Sequence, residues 1–185
     1  MDRHHALGAA LAVAVALALC ACGKAQEAAG QKAAEKMIEA SLSKDGTQAK
    51  VDLSDGAMKV STTDAAGKST QLELGGAKFS EADLGVPFYP GAKTSEGSAM
   101  RVATGDSVSL QVGLRSDDAF DKVAAFYRDK LKAMSDGKQL TDMAGSDGAS
   151  LSLIDEKAKT SLQVHVTKAD KGSEIAILSI RDKTK

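Results

Sequence analysis

The chain has no tryptophan, only two prolines, two cysteines and three histidines in 185 residues, and aromatic side chains make up 3% of it. Each scarcity excludes something. Both cysteines, Cys20 and Cys22, lie near the start, so the rest of the chain holds no thiol for catalysis and no pair for a disulfide staple. Cys-x-Cys is itself too tight for ordinary disulfide geometry, and no histidine or further cysteine follows nearby to complete a zinc set. His4 and His5 belong to the first few residues, which leaves His165 as the sole imidazole of the remaining chain. A serine hydrolase needs a base to accept the serine proton. His165, flanked by Val164 and Val166 in an alternating run, points to the polar face of a strand, and no Gly-x-Ser-x-Gly elbow accompanies it.

An excess of charge of either sign is missing as well. Lys plus Arg number 24 and Asp plus Glu 25, a balance that leaves no basic footprint for nucleic acid and no polybasic patch for lipid headgroups. Asp142, Asp147 and the neighbouring Gly145-Ser146 have the composition of a calcium loop but lack the alternating ligands and closing Glu of an EF-hand. Asp117, Asp118 and Asp121 read as helix-capping acids, and Gly75-Gly76-Ala77-Lys78 lacks the spacing and the Ser/Thr of a phosphate loop. No metal, cofactor or nucleic-acid partner is expected.

What is present begins with a charged head containing Arg3, followed by residues 6–19 without a charged or strongly polar side chain. Such a run falls short of the roughly 20 apolar residues that cross a bilayer, and it fits the central region of a signal peptide. It ends in Leu19-Cys20-Ala21-Cys22, which resembles the lipobox of bacterial lipoproteins: leucine, a tolerant position, a small residue, then cysteine. The frame ending at Cys20 places bulky Leu19 where that family takes Gly, Ala or Ser, so Cys22 is the better match. The resemblance implies a diacylglycerol thioether on Cys22, cleavage before it and acylation of the new amino terminus. Each buried methylene contributes about 0.8 kcal/mol, and two or three chains hold a protein on a membrane where one binds only marginally. Gly23 rather than Asp after the cysteine implies outer-membrane sorting, with the protein facing the periplasm.

Residues 23–30 read as a small, polar tether, and residues 31–42 as a helix with Ala34, Met37, Ile38, Ser41 and Leu42 on one face, suited to packing on strands or to docking on a partner or membrane. From residue 49 the period becomes two. Val51 and Leu53, Met58 and Val60, and Leu72 and Leu74 describe a three-stranded meander over 49–74, too short and polar to be independently stable. After a connector come the only prolines, in Val86-Pro87-Phe88-Tyr89-Pro90-Gly91-Ala92. Pro90-Gly91 suits the centre of a type II turn. Phe88 and Tyr89 then either plug the edge of the core or form an aromatic lip for a ligand or partner.

Met100, Val102 and 108–114 predict a hairpin through Gly105-Asp106, and 117–135 a helix whose face is Phe120, Val123, Ala124, Tyr127, Leu131 and Met134. Strands follow at 138–143, 149–155, 161–168 and 174–181, the last apolar on both faces and so expected to be central. All six aromatic residues lie between 79 and 127, which places the main core in the second half. The pattern predicts an α+β fold: an N-terminal helix and short β-meander, then an antiparallel sheet with one helix on a face. The divisions are a signal peptide at 1–21, a lipidated tether and helix at 22–45, the meander at 46–76 and the main domain at 77–185. Pro-Phe-Tyr-Pro-Gly-Ala together with Phe126-Tyr127-Arg128-Asp129-Lys130-Leu131 resembles small uncharacterised exported lipoproteins, which implies a domain type and no activity.

The expected function is that of a lipid-anchored envelope protein, bound to the membrane through its N-terminal lipid and to other envelope proteins as a non-enzymatic binding or assembly module. The alternatives are a periplasmic carrier of a small apolar ligand held between helix 117–135 and the sheet, and a hydrolase of unknown substrate using His165.

Overall fold

The structure, a computed structural model, describes residues 24–43, 46–54 and 56–183. Its elements in chain order are α1 (Lys24–Leu42), β1 (Gln48–Asp52), β2 (Met58–Thr63), β3 (Ser69–Leu74), α2 (Glu81–Leu84), β4 (Lys93–Thr94), β5 (Met100–Ala103), β6 (Ser107–Ser116), α3 (Phe120–Ala133), β7 (Gln139–Ala144), β8 (Gly148–Asp155), β9 (Thr160–Lys168) and β10 (Ser173–Asp182). Strands dominate. All belong to one antiparallel sheet in the order β1-β2-β3-β5-β6-β10-β9-β8-β7, with β4 paired to β6 beside this path.

The chain leaves the sheet at Ser116, crosses one face as α3, re-enters at the far edge as β7 and walks back until β10 docks against β6. β10 is therefore central, as its apolar residues on both faces predict. β3 pairs with β5 through Leu72↔Val102 and Glu73↔Arg101, so the meander and the later strands share one hydrogen-bonded sheet.

The core lies under α3. Val123, Tyr127 and Leu131 of the helix and Leu151, Val164, Val166 and Ile177 of the strands have no solvent exposure. α2 lies over the same face: its buried Leu84 joins this core, and Arg181 of β10 donates to the carbonyl of Asp83. The helix has a sequence signature in Ser80 and Asp83, whose side chains cap each other's backbone N–H groups.

The expected helix boundaries and faces need three corrections. α3 begins at Phe120 rather than at 117, and its N-cap is Ala119, which makes no side-chain capping bond. Asp117 and Asp118 precede the cap; Asp121 is the acid left in the first turn, where it faces the positive end of the helix dipole. α1 begins at Lys24 and replaces most of the expected tether. Its packed side is Ala34, Glu35, Ile38 and Glu39, all half-buried, while Met37 is 75% and Leu42 41% exposed. The reason is that α1 docks on the edge of β1: Glu39 Oε1 accepts the Val51 N–H at 2.8 Å and Glu35 Oε1 the Leu53 N–H at 2.9 Å. An edge strand leaves outward N–H groups in need of acceptors, and these two carboxylates supply them.

Candidate binding face

Residues paired across an antiparallel ladder project on the same side, so the register can be read as rungs that cross the sheet. One rung on the helix-covered side reads Asp52, Lys59, Glu73 and Arg101, then Leu110, Ser179, Leu162, Leu153 and Leu140. The adjoining rung, on the opposite side, reads Val51, Val60, Leu72 and Val102, then Ser109, Ile180, Ser161, Ile154 and Gln139. Polarity changes sides between β5 and β6. In the later strands the apolar residues lie beneath α2 and α3; in β1, β2, β3 and β5 they lie on the other side, while charged residues of alternating sign fill the helix side.

Both helices that cross the sheet lie on the helix side, and α1 runs along β1. The open side therefore presents Met58, Val60, Leu72, Leu74, Met100 and Val102, all half-buried by their neighbours in the sheet, and continues through Leu178 and Ile180 of β10. Neither this rung nor the next, which reads Met58, Leu74, Met100, Gln111, Leu178, Gln163, Ser152 and Thr141, contains a charged residue. Charge on the open side of the strands stands at their ends, in Lys93 beside the 2.6 Å pair Arg115–Glu174 and in Asp182. A contiguous apolar surface of this kind marks an interaction site more often than an isolated exposed leucine does.

The expected site residues are placed differently. Cys22 lies outside the described residues. Phe88 is half-buried, and Tyr89 is only 5% exposed. The Ala92 N–H closes the turn onto the Tyr89 carbonyl at 2.9 Å with Gly91 at φ 77°, and this folds the tyrosine inward. Its ring packs edge-on against Phe126 at 5.2 Å, its N–H donates to the Tyr127 hydroxyl at 3.0 Å, and its own hydroxyl donates to Asp118 Oδ2 at 2.6 Å. Of the two readings, the geometry is that of a core plug and not of an open lip. Asp118 also accepts from Lys122 Nζ at 2.9 Å. The Tyr89 hydroxyl and the Lys122 ammonium hold the Asp118 carboxyl below its ordinary range, and that carboxylate in turn pushes the Tyr89 phenol up. Burial raises the Tyr127 phenol further still.

His165 is exposed on the open side of β9. Asp142 and Asp147 are not brought together: Asp142 pairs with Arg128 at 2.5 Å and Asp147 with Lys168 at 3.8 Å. A groove of about 950 Å³ is lined by Arg115, Asp117, Asp147, Lys168, Lys171 and Glu174, where opposite charges pair along the rim. Among the described residues no group of three His, Cys, Asp or Glu is placed to hold a metal ion, and no helix is long and apolar enough to cross a membrane. No family model, curated protein or solved structure matches the chain.

Proposed function

We propose that the protein is a lipid-anchored module of a bacterial envelope that acts by binding or assembly through the open face of its sheet. The observation that carries this reading is the reversal of polarity at β5/β6, which leaves six apolar side chains of β2, β3 and β5 on the open side, half-buried and with no helix laid across them. Each of these side chains, half-buried as it stands, forgoes part of the about 1.5–3 kcal/mol that full burial contributes, and a partner on this face would supply the rest. In this reading residues 22–45 are tether and clamp helix, 46–76 the meander and 77–185 the main domain, with the sheet running across the last boundary. The membrane contact is the acylated Cys22, the compartment is the periplasmic side of the outer membrane, and the partners are envelope proteins.

The anchor is tested by the intact mass of the membrane fraction from a bacterial host expressing the full chain, compared with Cys22→Ser and Cys20→Ser. Loss of the lipid mass in Cys22→Ser alone supports it. An unacylated, freely released wild type overturns it.

A further inference from the structure

We propose that the open face is the self-association surface of the protein, and that its occupant is the same face of a second copy, stacked sheet on sheet. The inference rests on the binding-module reading above and names its partner.

A two-fold interface places the same patch on both sides, so the patch must tolerate itself. Charged residues on such a face would meet like charges in some pairings. The two inner rungs from Val51 to Gln139 and from Met58 to Thr141 contain none, in a chain that is 26% charged. The charges of β1, β2, β3 and β5 are all on the other side, in Lys50, Asp52, Lys59, Glu73 and Arg101. That side stays in water when the open side is covered.

The area is of the order that a small dimer interface needs. Nine strands form the main path of the sheet, and the eight from β2 to β7 are open on this side, since Val51 of β1 is only 7% exposed. At about 4.8 Å apart they span roughly 35 Å, and five residues of strand cover about 17 Å, giving a footprint of about 600 Å², the lower end of the roughly 600–1,000 Å² per partner of a stable interface. Met58 and Met100 lie within it, and methionine adapts to an irregular opposing surface. Pairing through the β1 edge is closed because Glu35 and Glu39 already occupy the Val51 and Leu53 N–H groups, so a second copy approaches this end of the sheet by its face. A two-fold axis running across the strands puts both β1 edges, and the α1 helices that run along them, at one end of the pair, the arrangement that one membrane would accept from two N-terminal anchors.

The test uses the full acylated chain in its membrane, with a benzophenone-maleimide probe on Leu72→Cys or, on the opposite face one residue away, Glu73→Cys. The described strands contain no cysteine, so each variant offers one reactive thiol, and labelling of the wild type reports an unacylated Cys22 and hence failure of the anchor reading. After irradiation the expected product is a two-chain adduct, at several-fold higher yield from position 72 than from 73, and again from Val102→Cys. An adduct of position 72 with lipid or with a different protein overturns the second copy and leaves a binding face. Equal yields at 72 and 73, or no adduct at either in variants whose melting curves match the wild type, overturn both.

Discussion

The hydroxyl of Tyr89 and Oδ2 of Asp118 stand 2.6 Å apart and join the proline turn to the residue just before the N-cap of α3. The bond has a pH signature at each end. Asp118 is depressed by Tyr89 and Lys122, and Asp83 by the Ser80 hydroxyl. A depressed carboxylate contributes stability that is present above the unfolded value of about 3.9 and is lost as pH falls through the folded one. The melting temperature of the wild type is expected to fall below about pH 4, and Asp118→Asn to flatten that limb. At the alkaline end Tyr89 and Tyr127 are both raised, so stability is retained up to about pH 10 and lost above it. Melting curves from pH 2 to 11 check both limbs; an unchanged acid limb in Asp118→Asn removes the pair from the account.

Truncation should separate the two faces. Leu131 has no exposure beneath α3, and Leu131→Ala is expected to cost about 2–5 kcal/mol. Leu72 is half-buried on the open face, and Leu72→Ala should cost about 1 kcal/mol in the isolated chain. Urea midpoints at constant slope measure the difference. Equal losses would mean that the open face is part of a closed core.

The clamp of α1 on β1 predicts an exchange phenotype. In Glu35→Ala the Leu53 amide, and in Glu39→Ala the Val51 amide, lose their acceptors. Each should exchange about tenfold faster, the equivalent of one hydrogen bond to a charged acceptor, while Ile177 in the central strand keeps its protection. Hydrogen exchange followed by NMR gives the readout, and unaltered rates at 51 and 53 would detach α1 from the sheet.

Gly172 and Gly67 have similar positive φ, 77° and 79°. A Cβ at Gly172 would collide with the carbonyl oxygen of Ser116 and with Asp117, whereas at Gly67 it would meet nothing within 4 Å. Gly67→Ala should show only the left-handed penalty of about 1 kcal/mol, or about 2–4 °C in Tm for a domain of this size. Gly172→Ala should show clearly more, because backbone must move. Similar melting temperatures for the two variants would contradict the close approach of the β9–β10 turn to the end of β6.

Much of the fold is legible in local pattern. Alternation at Leu162, Val164 and Val166 places β9, Phe120 to Leu131 places the buried stripe of α3, and the apolar run from Ile175 to Ile180 puts β10 in the centre. The side of α1 that packs was legible only in part: Ala34 and Ile38 lie on it as the period predicts, but Glu35 and Glu39 pack through hydrogen bonds to a strand edge, which leave no hydrophobic period. Tyr89 is a similar case. Two adjacent rings beside Pro90-Gly91 suit a lip and a plug equally, and the choice depends on Asp118 and Tyr127, which reach them from α3.

By itself the sequence determined the alternation of each strand, the turns that separate them and the helix that follows β6, and it carries the resemblance to a lipobox before residue 23. It could not determine which way each alternation faces. Period-two patterns are identical whether their apolar residues point up or down, and pairing by one residue more or less exchanges the two sides. Only the tertiary register, Val102 opposite Ser109 and Arg101 opposite Leu110, placed the apolar residues of the meander on the side away from α3. The candidate binding face is a product of that register.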